Sequence, residues 1–325
     1  MSEQAGDHQA HDPSWERRYE RNAFVMLFVA FAVMPAFIYP RFGSQLLCFA
    51  MFACAFNLLI GFGGLLSFGH AMFFGMGSYL SAHAAKAWGL PVELAILTGA
   101  ATSLLLGALT GLLAIRRQGI YFAMITLALA QMLYFFCLQA PFTGGEDGIQ
   151  SVKRGRLLGM IDLNNEVAMY YFVFAVFLAA FGLIHRIIHS PFGQVLKAIR
   201  ENEPRAISLG YHAERYKLAA FVLSATLAGL AGATKAIVAQ NASLTDVHWS
   251  MSGEVVLMTL LGGMGTVFGP VVGALVIISM QFYLAELGSW VTITQGIIFV
   301  VCVLAFRRGI VGEIEAWLRK RRKPG

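Results

Sequence analysis

Charge is scarce in this sequence. Only 13% of its 325 residues are Asp, Glu, Lys or Arg, against 58% hydrophobic, a balance that excludes an ordinary soluble domain. The familiar catalytic devices are missing as well. There is no GxxxxGK[ST] phosphate loop, so the chain does not itself bind and hydrolyse ATP by the usual means. GxSxG, HExxH and sensibly spaced carboxylate pairs are also absent, and no enzyme is expected. Cysteine is rare: Cys48, Cys54, Cys137 and Cys302 all lie inside apolar runs, without a CxxC or a Cys/His cluster. They read as small packing residues, and no metal, cofactor or disulfide is expected. Short strands of alternating polarity, which a membrane β-barrel would need, do not occur.

What is there is apolar sequence in runs near twenty residues, the length a helix needs to cross about 30 Å of hydrocarbon. The 34 glycines fit this, since small residues let membrane helices approach closely. The fold class expected is all-α: a polytopic helical membrane protein, anchored in lipid. Spans are expected over residues 23–39, 44–60, 65–85, 92–115, 120–138, 167–185, 216–239, 270–285 and 290–306. A further apolar stretch, 252–264, is short and runs into GGMGTVFGP. Residues 1–22 are expected to form a polar cytoplasmic tail, 23–306 the transmembrane domain, and 307–325 a basic cytoplasmic tail ending in RKRRK.

The net charge of +6 is topological information before it is a sign of nucleic acid, and no nucleic-acid partner is expected. Lys and Arg mark cytoplasmic loops. With the N-tail inside, Arg116-Arg117, the 190–210 segment and the basic tail are all cytoplasmic only if 252–264 counts as a crossing. That gives about ten spans, one of them short or broken. The 139–166 loop then lies outside.

Polar residues inside such spans are costly and point to function or to ties between helices. His70, next to Ser67, is a candidate for the path, and a neutral histidine bonded to a neighbouring helix explains it equally well. Lys235 and Glu254 could pair across helices, or Lys235 could snorkel outward. Asn57, Thr126 and Gln131 read more readily as helix ties than as substrate contacts. Glycine-interrupted stretches at membrane depth mark candidate sites in transporters. Two are present, at 61–77 and at 262–270, the latter with Gly262 and Gly263.

The stretch SPFGQVLKAIRENEPRAISLG, Ser190 to Gly210, is polar and stands between apolar runs. Ser190 suits a helix N-cap and Pro191 the first helical position. Phe192, Val195, Leu196 and Ile199 recur on one face, with Lys197, Arg200, Glu201 and Glu203 on the other. Pro204 ends this helix and can open a second, which Gly210 would close. The pattern predicts two short amphipathic helices forming a knob at the membrane surface.

The wording of this stretch, continuing through RYKLAAFVLS to Ser224, resembles the M-type permease subunits of bacterial ABC importers for branched-chain amino acids. LSFGHA (66–71), GIYFAMITLA (119–128), TGGEDG (143–148) and LGGMGTVFGP (261–270) are similar to further motifs of that family, in order. The wider importer signature, Glu-Ala-Ala-x-x-x-Gly, keeps only Ala206 and Gly210 here. The resemblance implies a multi-pass bacterial inner-membrane protein whose 190–210 segment couples to ABC ATPase subunits. Phe192, Leu196, Ile199, Arg200, Glu201, Glu203, Arg205 and Gly210 would carry that coupling. It implies too a second, H-type permease as heterodimer partner and an extracytoplasmic substrate-binding protein. Urea, amides or aromatic amino acids as cargo stay open, as do an ion-coupled secondary transporter and a membrane scaffold.

Overall fold

The computed structural model describes residues 13–157, 159–284, 290–305 and 308–314. The ends of both expected tails, residues 1–12 and 315–325, lie outside the described residues, as does the side chain of Cys302. Helices dominate: α1 (Pro13–Val33), α2 (Pro40–Asn57), α3 (His70–Lys86), α4 (Val92–Ala114), α5 (Ile120–Gln139) and α6 (Glu166–His189). Two short helices follow, α7 (Pro191–Glu201) and α8 (Glu203–Ser208). The long α9 (Ala213–Ala239) and the single turn α10 (Leu244–Val247) come next, and α11 (Trp249–Gly262), α12 (Gly269–Tyr283) and α13 (Trp290–Ala305) complete the order.

Among the described residues five helices are long and apolar enough to cross a membrane: α2 with its extension to Phe62, α4, α5, α6 and α9. Two shorter apolar helices are α12 and the stretch Phe24–Ala36 at the end of α1, and α3, α11 and α13 are helices of 17, 14 and 16 residues. A helix thus lies in each of the ten segments expected, and α11, at 14 residues, occupies the short one, 252–264. Among the described residues, strand content is confined to two-residue pieces. β1 (Ile149–Gln150) pairs antiparallel with β4 (Asn241–Ala242), and β2 (Arg156–Leu157) with β3 (Ile161–Asp162). These lie in the 139–166 loop and just after α9, at the opposite end of α6 from α7 and α8.

Glycine placement explains which helices are central. On α4, Gly99, Ser103, Gly107 and Gly111 recur every four residues and so form one smooth stripe. Gly99 lies on Ala233, Gly107 on Ala225, and Gly111 on Leu218 and Phe221, all of α9. The other face carries Leu105, Leu109, Leu112 and Leu113, each more than half exposed. α3 meets α9 in the same way, for a Cβ at Gly77 would strike the Gly229 carbonyl and one at Gly232 the Phe74 carbonyl. Where lipid is as apolar as leucine, this close backbone contact is what drives association. The result is a buried pair, α2 and α9, wrapped by the rest: the apolar window of α2 is 89% buried, that of α5 only 28%.

One expected span begins late. Residues 65–69 were expected to be helical, but α3 starts at His70, and the chain between is unwound. α2 ends in a π-helical turn, Leu58–Phe62, and Gly64 then takes a left-handed φ of 69°. Gly69 lies against the Thr126 carbonyl, too close for any side chain. Leu65, Ser67 and Gly69 are nonetheless buried while Gly64 and Leu66 are exposed, so this irregular backbone is enclosed by protein on one side. The Gly75-x-Gly77 pair, by contrast, serves packing alone, with Gly75 against Val247. Elsewhere the edges move by a few residues. α6 runs on to His189, α9 starts at Ala213, and the stretch expected as a 240–250 loop contains α10.

Replacing Gly232 by valine is expected to lower stability by about 3 kcal/mol through overpacking against α3. At Gly182 an added Cβ meets nothing, and alanine there should leave stability unchanged or raise it slightly. Thermal unfolding of the detergent-solubilised variants checks both.

Candidate functional site

The 190–210 knob forms as its caps require. Ser190 Oγ accepts from the Gly193 amide at 3.3 Å, and Pro191 opens α7. Asn202 Oδ1 accepts from the Arg205 amide at 3.1 Å and caps α8. Gly210, at φ 90°, turns the chain out of it. Gly193 is pressed on the Ile187 and Ile188 carbonyls, so α7 folds back sharply from α6.

The apolar face of the knob is turned into its own chain. Leu196 and Ile199 are buried, Leu196 touching Gly63 at the end of α2. Phe192 stacks on Tyr216 of α9, ring centroids 5.5 Å apart. Two charged residues expected to meet a partner also bond within the chain, Arg200 while remaining exposed. Glu203 pairs with Lys217 of α9 at 2.6 Å. The Arg200 stem lies along Gly64, and its Nη1 donates to the Gly61 carbonyl in the π-helical turn. Glu201 and Arg205 are exposed, as expected. Beside them stand exposed apolar residues that sequence reasoning passed over, Ile207 at 55% and Leu209 at 70%.

Arg200 leads to the second glycine break. Asn57, one turn before Gly61, donates from Nδ2 to the Thr266 carbonyl at 2.8 Å. Its Oδ1 accepts from the Gly265 amide at 3.0 Å. The two glycine-interrupted stretches, some two hundred residues apart in sequence, thus meet each other and the knob. Gly262 lies on the Gly269 carbonyl, and Gly263 adopts φ 125° beside residues 308–312. Asn57 is a tie between breaks.

The other interior candidates are ties as well. Ser224 Oγ donates to the Ala55 carbonyl at 2.5 Å, so at 2.9 Å it accepts from His70 Nε2. That fixes the tautomer and joins α3, α9 and α2. The His70 ring is fully buried, with Phe56, Phe73 and Phe221 edge-on around it. Ser67 accepts from the Gly69 amide, and Thr126 bonds its own helix at Ala123 while its carbonyl backs Gly69. Gln131 is half-buried on α5.

Lys235 and Glu254 do not pair. Glu254 accepts from Gln281 of α12 at 3.1 Å. Lys235 does not snorkel either: it is buried and bonded to both carboxylate oxygens of Asp246 at 2.9 and 2.8 Å. Ser78 of α3 and the Ser243 amide also donate to that carboxylate, at 3.2 and 3.3 Å. Asp246 was hidden in an apparent loop. Its signal was the Ser243-x-x-Asp246 spacing of a capping box, which the structure forms.

Residues 41–306 match the family model described as the permease component of branched-chain amino acid transport systems. The chain belongs to that family. It is 25% identical to the high-affinity branched-chain amino acid transport system permease protein LivM of Salmonella typhimurium, over 90% of this chain and 75% of that one. The LivM of Escherichia coli is 24% identical with the same coverage. A probable LivM of Methanocaldococcus jannaschii is 25% identical over 56% of this chain and 53% of its own. No solved structure matches. This permease is a multi-pass membrane protein, and its buried Lys235–Asp246 pair ties α9, α10 and α3 together at the end remote from the knob.

Asp246→Asn leaves a buried ammonium with no counter-charge and is expected to cost about 4 kcal/mol. The double variant Lys235→Met, Asp246→Leu is expected to cost less than either single change, which unfolding midpoints of the three proteins would test.

Proposed function

We propose that this permease component serves an ATP-binding cassette importer for branched-chain or related hydrophobic amino acids in a bacterial inner membrane. Residues 23–306 form half of the translocation path, a second permease of the H type the other half. A substrate-binding protein delivers the amino acid from outside. ATP hydrolysis belongs to partner ATPases, in keeping with the missing phosphate loop of this chain.

The observation that carries the reading is the two-sidedness of the 190–210 knob. Its inner face is fixed to α2, α6 and α9 through Leu196, Ile199, Phe192 and Arg200. Its outer face offers Ile207 and Leu209 with Glu201 and Arg205 beside them. Exposed apolar anchors rimmed by charge are the composition of a protein interface. An ATPase closing on ATP would push this face. Arg200 would pass the displacement to Gly61, and Asn57 would pass it on to Gly265 and Thr266. The receiving segments are the π-helical turn that ends the α2 span and a stretch, 263–268, that is not helical.

An ion-gradient mechanism would need titratable groups along one wet path. His70, Lys235 and Glu254 are instead separated, with Lys235 already neutralised by Asp246.

Purification of the chain with its partners from native membranes tests the reading. ATPase subunits and a second permease should accompany it, and Leu209→Glu should reduce ATPase retention about tenfold. Arg200→Gln should retain the ATPases and lose most substrate-stimulated hydrolysis. A homo-oligomer that transports without ATP would contradict the assignment.

A further inference from the structure

A cleft of about 420 Å³ opens between the knob and the turn that joins α4 to α5. Its volume is that of a small-molecule pocket. Ile115 and Arg116 of the turn line one side, and Ile207 of α8 with Glu214 and Arg215 of α9 line the other. Glu203 and Lys217 complete the lining, and at 2.6 Å they are already paired with each other. The two sides stand together because Gly111, in the last turn of α4, lies on Leu218 and Phe221 of α9.

What the lining leaves available carries both signs of charge. Arg116, Glu214 and Arg215 are exposed and make no ion pair among the described residues. They can therefore take a ligand without breaking a contact. A guanidinium presents parallel donors that match a carboxylate. Glu214 disfavours a simple anion in the same cleft and offers an acceptor to an ammonium group. Ile115 is buried and Ile207 is 55% exposed, so apolar surface stands beside the charges. A carboxylate, an ammonium and a short apolar side chain on one small molecule meet that lining together. Inorganic phosphate or a plain carboxylic acid meets only part of it.

We infer that this cleft is a regulatory site for an α-amino acid with an apolar side chain, its carboxylate on Arg116 and Arg215, its ammonium on Glu214 and its side chain on Ile115 and Ile207. The inference rests on the importer reading, in which such a molecule is the product released on this side. One side of the cleft belongs to the knob, which the ATPases push, and the other to the α4–α5 turn, which lies outside the path of that push. A ligand touching both binds the resting arrangement better and so resists movement of one past the other. Accumulated product thus holds the knob still and slows further import. Contacts with exposed charges are individually weak, so the site fills only at about 1 mM product and leaves ordinary import untouched.

Two readouts test this. In saturation-transfer NMR on the full chain in phosphatidylcholine nanodiscs, Arg116→Gln and Glu214→Gln should each weaken L-leucine about threefold, and together about tenfold. The second uses proteoliposomes of the whole importer, with ATP in the lumen and the binding protein and labelled leucine outside. L-Leucine in the lumen at about 10 mM should cut the initial uptake rate about tenfold. Leucinamide, which lacks the carboxylate, and 4-methylpentanoate, which lacks the ammonium, should each cut it no more than about twofold. The double variant should show the same twofold limit with leucine, and an unchanged rate when the lumen holds none. No effect of lumenal leucine, equal inhibition by leucinamide, or inhibition unchanged in the double variant would overturn the site, and the importer reading would stand as long as uptake needs ATP. Uptake without ATP would instead sink that reading. The NMR measurement then decides the cleft alone, and leucine affinity unchanged in the double variant would overturn it.

Discussion

The side-chain amide of Asn57 holds together two pieces of backbone that could not otherwise sit within a membrane. Its oxygen takes the Gly265 amide and its nitrogen gives to the Thr266 carbonyl, so each break in helical structure satisfies part of the other. Unpaired backbone polar groups at that depth would cost several kcal/mol, of order 4 for each. A Cβ at Gly61 would strike the same Asn57 oxygen, which is why the turn leaving α2 has glycine there. The knob reaches this junction with a single long side chain, Arg200.

Around the junction the rigid part of the molecule is built by small residues. α9 is met by glycine stripes of α3 and α4, and it carries Ser224, which connects His70 to the α2 backbone. At the far end of α9 the Lys235–Asp246 pair fixes α10, and Arg154 holds the Val238 carbonyl in the last turn of the helix. α9 therefore runs from the knob, through Lys217 and Glu203, to the outer loops. The π-helical Leu58–Phe62 turn, which continues α2, and the non-helical 263–268 segment adjoin this frame at the knob end.

How much of this was legible in the sequence depends on distance along the chain. The knob was readable almost in full, because Ser190, Pro191, Pro204 and Gly210 act on neighbours within a few residues. The count of ten apolar segments followed from charge bias and run length. What failed was direction and partnership. Arg200 sits on the polar face of α7, but its stem is long enough to turn back over Gly64. The sequence leaves Lys235 between pairing with Glu254 and snorkelling outward, because both are lone charges in apolar runs while Asp246 is concealed among polar loop residues. The unwound 65–69 stretch was drawn as helix because hydropathy counts side chains and ignores backbone geometry. The ties of Asn57 and His70 span more than 150 residues each, beyond the reach of any local pattern.

The account stands on the knob, the Gly61 turn and the 263–266 segment moving as one connected unit. Spin labels at Gln194 on the knob and Met264 on the second break, read by pulsed electron resonance in the reconstituted importer, measure this directly. Trapping ATP should leave the Gln194–Met264 distance unchanged while the distance from Gln194 to Gln118, in the α4–α5 turn, shifts. A knob that moves away from Met264 and leaves the 263–266 segment in place would contradict the account.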